Sequence, residues 1–104
     1  DNDKNYAHKE AYYHTVILTL LWACGLHVHA EEYTNRGMSD LVLNYRGDVW
    51  VIELKRASPK VSLKQIKNKG YADKYAAAPY LALVGIEIDI EQRNLKAWKV
   101  EKVK

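Results

Sequence analysis

The segment Val49 to Leu54, Val-Trp-Val-Ile-Glu-Leu, restricts the possible folds of this chain more than any other. Apolar residues stand on both sides of its alternation, so a strand here has no face to give to water and needs cover on both. Just before it, Arg46-Gly47-Asp48 makes a tight turn back to a second apolar run, Met38 to Tyr45. The two runs predict a hairpin at the centre of a layered structure rather than on its surface.

The flanking segments supply the layers. Residues from about Lys4 to Ala23 read as a helix, with apolar positions at Tyr13, Val16, Ile17, Leu20, Leu21 and Cys24, and Gly25 supplies its stop. Leu26, Val28 and Ala30 then alternate with His27, His29 and Glu31, which is strand periodicity. A loop around Asn35-Arg36-Gly37 leads into the hairpin. After a break at Ser58-Pro59, a second helix is expected from about Ser62 to Ala78, stopped by Pro79. Gly70 in its interior marks a close packing contact or a kink. Tyr80 to Ile90 reads as a long buried strand, and Glu91 to Asn94 turns into a last strand from Leu95 to Val100. The order α-β-β-β-α-β-β predicts one α/β core, a mixed sheet flanked by helices. At 104 residues the chain fits a single domain, residues 1–104.

Composition narrows the class. A hydrophobic share of 48% against 28% charged residues fits a soluble globular domain and not a disordered one. The longest apolar stretch, Val16 to Cys24, is interrupted by Thr19 and too short to span a bilayer. With no secretory signal either, no membrane partner is expected. The chain opens on Asp1 and its sole methionine is Met38, so it reads as a piece of a longer protein. A lone Cys24 forms no intrachain disulfide; it suits a reducing, cytoplasmic setting and is expected to pack in the helix. Trp22, Trp50 and Trp98 each sit in an apolar pattern and read as core anchors. The net charge of +3 is too mild to declare nucleic-acid binding. Lys55, Arg56, Lys60, Lys64, Lys67 and Lys69, however, follow one another with no acidic residue between them. Such a cluster fits either phosphate neutralisation or a solvated helix face.

Strand alternation places Asp40 on one face with Val42, and Val51 on one face with Glu53 and Lys55. The turn near Gly47 brings Asp40 opposite the Glu53–Lys55 end in either of two close registers, with opposed residues within about 5 Å. Three charged groups at the end of an apolar hairpin cost desolvation energy. A cross-strand ion pair would account for them structurally. A metal site would account for them chemically: two carboxylates and the Leu54 carbonyl are hard oxygen ligands suited to Mg2+ or Mn2+. Such an ion could hold a phosphate oxygen and acidify a water, with Lys55 beside that water to orient it and to offset developing negative charge. His27 and His29 share a strand face without a Cys partner at zinc spacing and read as polar strand positions. There is no Gly-rich phosphate loop.

Ser39-Asp40 and Glu53-Leu54-Lys55, with a preceding helix and two strands and a following helix and strand, resemble the PD-(D/E)xK nuclease superfamily. More closely, the chain resembles the small nuclease-like domain often found C-terminal to an AAA-ATPase-like domain in bacterial proteins. The likeness runs from Lys9-Glu10-Ala11-Tyr12-Tyr13-His14 through Gly85-Ile86. It implies a restriction-endonuclease-like αβββαβ core, here with an extra C-terminal strand, and divalent-metal cleavage of nucleic acid, DNA in preference to RNA. By that resemblance Asp40 and Glu53 are metal ligands and Lys55 is the catalytic lysine. Ser39 stands where the motif often has proline, a position that shapes the start of the strand and supplies no ligand.

Two further residues join by the same likeness. Glu10, with Tyr13, His14 and Ile17, follows i, i+3, i+4, i+7 spacing and so shares a side with core-facing residues. It reads either as a further metal ligand or as an acidic residue favourable to the helix dipole. Gln65, within Gln65-Ile66-Lys67-Asn68-Lys69-Gly70-Tyr71, resembles the glutamine many such nucleases use beside the metal or phosphate, with Tyr71 a weaker candidate. The family also implies an AAA-ATPase-like domain on the same full-length chain and leaves a homodimer open. It includes members that no longer cut, so an inactive nuclease-fold module binding nucleic acid or a protein partner is the alternative. A purely structural unit would instead show its acidic groups locked in ion pairs.

Overall fold

The computed structural model describes residues 2–104 apart from 32, 35, 36 and 39, with side chains described for 12–31 and 40–104. Helix α1 spans Asn2–Ala23 and strand β1 His27–Ala30. A two-residue pair follows, β2 at Tyr33–Thr34 and β3 at Gly37–Met38, joined antiparallel in a small sheet of their own. Strands β4 (Leu41–Tyr45) and β5 (Asp48–Lys55) form the central hairpin. Helices α2 (Pro59–Lys67) and α3 (Tyr71–Lys74) lead to β6 (Leu81–Asp89) and β7 (Asn94–Lys102). The main sheet runs β1-β4-β5-β6-β7, with β5 and β6 parallel and the other neighbours antiparallel. This is a mixed α/β fold of the restriction-endonuclease-like kind, with β7 as the added C-terminal strand.

Alternation along the hairpin sorts its residues onto the two faces. Val42, Val49 and Val51 turn toward α2 and pack with Leu63, Ile66, Tyr71, Leu81 and Leu83. Leu41 and Leu54 turn the other way and join Leu18 of α1, Val28, Ile88 and Ile90. β5 is therefore covered on both sides, and every residue of the strand is at least half-buried. Among the described residues, no helix is long and apolar enough to cross a membrane.

Several elements differ from the sequence expectation, each for a local reason. The second helix starts at Pro59, not Ser62, because Ser58 caps it through its side-chain oxygen, which accepts from the Val61 N–H, and proline fits the first helical position. It ends at Lys67 and does not continue to Ala78. Gly70 adopts φ 76, a left-handed conformation that breaks the helix into α2 and α3. A Cβ at Gly70 would meet nothing within 4 Å, so the glycine serves the backbone turn and not a close contact. Met38 to Tyr45 is likewise not one strand, since β3 pairs with β2 and β4 begins at Leu41. Two of the three tryptophans are not core anchors. Trp98 is 68% exposed on the outer strand β7, and Trp22 is 56% exposed near the end of α1, where its Nε1–H donates to the Val28 carbonyl at 2.6 Å. Cys24 lies just past the end of α1 and is exposed, not packed. α1 covers only part of its face, which leaves an open apolar groove of about 370 Å³ lined by Leu26, Leu43, Tyr45, Trp50, Ile52 and Val84.

The height of α2 above the sheet is set at Gly85 of β6. A Cβ there would stand 2.6 Å from the Pro59 carbonyl oxygen and 3.1 Å from Ser62 Cβ, with Ser62 fully buried. The first turn of α2 thus rests on bare backbone, and Gly85 is also the β6 partner of Glu53. Gly85→Ala should push the helix off the strand and lower stability by about 1–3 kcal/mol, as overpacking does. Chemical denaturation checks this; an unchanged midpoint would show that the helix can rise without loss.

Candidate active site

β4 and β5 pair with Leu41 opposite Ile52 and Val42 opposite Val51. One step further back, that register sets Asp40 across from Glu53. Asp40 stands just outside the ladder, and its carbonyl accepts the Glu31 N–H at 2.8 Å, which fixes its backbone beside β1. Both carboxylates point to the α2 face, and both are buried, with relative exposures of 2% for Asp40 and 4% for Glu53.

The chain between α2 and α3 closes over them. Lys69 Nζ donates to Asp40 Oδ1 and Oδ2 at 3.2 and 3.1 Å and to Glu53 Oε1 at 2.9 Å. Tyr71 Oη donates to Asp40 Oδ2 at 2.8 Å. The left-handed turn at Gly70 lets residues on either side of it reach the same carboxylate, which a continuous helix would not allow at i, i+2 spacing. Tyr71 also stacks with Tyr75, ring centroids 6.1 Å apart, and Tyr75 Oη donates to Glu31 Oε2 at 3.3 Å, with Lys74 paired to the same Glu31. Asp40 and Tyr71 stand 31 positions apart in the chain, and Glu53 and Lys69 lie between them.

The predicted site residues thus fall into three groups. Asp40 and Glu53 are brought together. Lys55 follows Glu53 on the same face and is half-buried, but the cation hydrogen-bonded to both carboxylates is Lys69. Leu54 turns its side chain into the α1-side core at 8% exposure, so only its carbonyl is left to offer. Gln65 is exposed on α2, on the side away from the buried Ser62, Leu63 and Ile66. The expectations for the Glu10 side chain and for Ser39 fall outside the described residues. Lys69 was read from sequence only as one of six basic residues. The signal for it was the adjoining Gly70, which ends the helix and frees the preceding side chain to turn inward.

The remaining basic residues separate. Lys67 pairs with Glu101 of β7, whereas Lys60 and Lys64 stand exposed on the outer side of α2. His27 and His29 are exposed, and His29 Nε2 lies 3.3 Å from Glu31 Oε2.

Burial pushes the Glu53 carboxyl above its ordinary range. The Lys69 hydrogen bond opposes that shift, and the neighbouring Asp40 reinforces it. For Lys69, burial works against the charge, but the hydrogen bonds and negative charges of Glu53 and Asp40 more than offset it and hold the ammonium protonated above its usual range. Glu53 Oε2 is buried and has no hydrogen-bond partner among the described residues.

A carboxyl whose pKa is raised by folding keeps its proton longer in the fold than in the open chain. The stability this gives is therefore lost as pH rises from the usual carboxylate range through the raised one. In chelator, the denaturation midpoint of Glu53→Gln should gain on that of the wild type across this interval. A constant difference between the two proteins would show that Glu53 ionises in the fold as it does in the open chain.

A sequence model of the PD-(D/E)XK nuclease superfamily matches residues 8–98. An uncharacterised protein in the vnfD 5′ region of Azotobacter chroococcum mcd 1 is 35% identical over 99 residues, which cover 91% of this chain and 19% of that protein. This chain therefore spans about a fifth of the length of the curated relative it matches. No solved structure matches. With the family match extending from α1 to β7 across both carboxylates, the chain belongs to the PD-(D/E)XK nuclease superfamily.

Proposed function

We propose that this domain is a metal-dependent nuclease that hydrolyses phosphodiester bonds in nucleic acid, DNA in preference to RNA. The observation that carries the reading is the convergence of Asp40 and Glu53 oxygens from neighbouring strands on one cationic point. Among the described residues, no three of His, Cys, Asp and Glu cluster as a metal-binding group. Mg2+ does not need three, since it is usually held by one or two carboxylates and keeps its remaining positions for water and phosphate. The buried, unpartnered Glu53 Oε2 is a further acceptor suited to a hard cation.

Asp40 and Glu53 would hold Mg2+ or Mn2+, with the Leu54 carbonyl as a backbone ligand and Glu10 as a fourth candidate from α1. The ion supplies Lewis acidity toward a phosphate oxygen and a more acidic water. Lys55 contributes a cation on the same face, able to orient a water and to offset negative charge as the phosphorus is attacked. Tyr71 holds the Asp40 carboxylate in its rotamer through one oxygen. Lys60 and Lys64, exposed on α2, are placed to neutralise backbone phosphates, with Gln65 beside them as a polar contact. A longer polypeptide carrying an AAA-ATPase-like domain, and a homodimer able to cut both strands, belong to the same proposal. So does a cytoplasmic setting.

The tight pairing of both carboxylates with Lys69 favours a reading without cleavage, either a purely structural unit or a nuclease-fold module that binds nucleic acid or a protein partner without cutting it. Incubation with labelled single- and double-stranded DNA, with and without Mn2+, separates the two. The nuclease reading expects metal-dependent cleavage that falls by at least about a hundredfold in Asp40→Ala, Glu53→Ala and Lys55→Ala, in line with the loss of a key transition-state contact. Retained DNA binding with no cleavage by any form would establish the silent module instead.

A further inference from the structure

Lys69 occupies the point on which the two carboxylates converge, yet it belongs to neither of their strands. Asp40 and Glu53 are almost wholly buried, while the Lys69 side chain keeps 42% of its surface exposed. The lysine side chain is thus the part of the cluster that solvent reaches. It hangs from the turn before Gly70 on a flexible four-carbon stem, so withdrawing it requires no movement of strand or helix. Two formal negative charges face one positive charge, which leaves one negative charge unbalanced. Among the described residues, none donates to Glu53 Oε2. A dication at the same point would balance both carboxylates and give the orphaned oxygen a partner.

We propose that Lys69 is a resident counter-ion that holds Asp40 and Glu53 together before metal arrives, and that Mg2+ or Mn2+ enters by displacing it. This rests on the metal-site reading above. The two cations compete for the same oxygens, so the observed metal affinity is the intrinsic affinity reduced by the work of expelling the ammonium. Lys69 then tunes how readily the site loads, and its removal should tighten binding. A residue that only propped the site open would have the opposite effect.

Calorimetric titration of Mn2+, without nucleic acid, into wild type, Lys69→Met and Asp40→Asn tests this. Lys69→Met keeps the length of the side chain and removes its charge. The expected result is Mn2+ binding about tenfold or more tighter in Lys69→Met than in wild type, given the coupling seen for close charge pairs, and binding lost in Asp40→Asn. Equal or weaker binding in Lys69→Met overturns the displacement while leaving the metal site intact. Absence of Mn2+ binding in wild type and Lys69→Met alike overturns both readings. If Lys69→Met does not fold, the lysine ammonium resonances of wild type are followed by NMR during a Mg2+ titration. Loss of the ion-paired Lys69 signal at saturation supports displacement; an unchanged signal overturns it.

Discussion

Two like charges placed side by side under a helix form the most demanding feature of this molecule. Asp40 and Glu53 leave water almost completely, and the neighbouring Asp40 adds to the burial that makes Glu53 harder to ionise. Replacing them with apolar residues of similar size would commonly be neutral or stabilising, so a site of this kind persists only where its surroundings compensate. The compensation comes from a single short stretch. The α2–α3 connection delivers an ammonium to both carboxylates and a phenol to one of them. The hydrophobic layer of Val42, Val51, Leu63, Ile66 and Leu83 fixes the distance between that stretch and the sheet.

Much of this was legible in the chain. The apolar run of β5 required cover on two faces, and the Arg46-Gly47-Asp48 turn narrowed the hairpin to two close registers with Asp40 opposite the Glu53–Lys55 end; the pairing of Leu41 with Ile52 selects the one that sets it across from Glu53. Period-two patterning is robust in such a strand, because a slip of one residue would turn Val49 and Val51 away from their core. The connection after α2 was harder to read. A glycine in a weakly amphipathic helix is compatible with a kink, a contact or a break, and only the positive φ of Gly70 decides. Lys69 was hidden for the same reason, since its inward direction depends on that break. Trp22 and Trp98 were misjudged because an apolar pattern near the end of a helix or on an outer strand does not guarantee a layer above it.

Family membership and site geometry bear on different questions. The superfamily match runs over most of the chain and accounts for the layered sheet and the placement of two acidic groups on one hairpin. It does not distinguish a cutting domain from one that has kept only the scaffold. That distinction turns on whether the salt-bridged pair is a resting arrangement or a permanent one. A buried pair satisfied on every oxygen would be costly to open. Here one Glu53 oxygen has no donor among the described residues, and the Lys69 side chain is partly exposed. Both properties lower the cost of exchanging one positive partner for another.

Among the described residues, the groups that meet at this centre come from one unbroken run of the polypeptide, its extremes 31 positions apart. Such a layout is encoded locally and closes with little loop entropy. The two strands after it act as walls, and Leu18 of the helix before it packs in the apolar layer beneath. A cluster laid out in this way keeps its internal geometry wherever an apolar layer shelters it, because few of its contacts depend on distant parts of the chain.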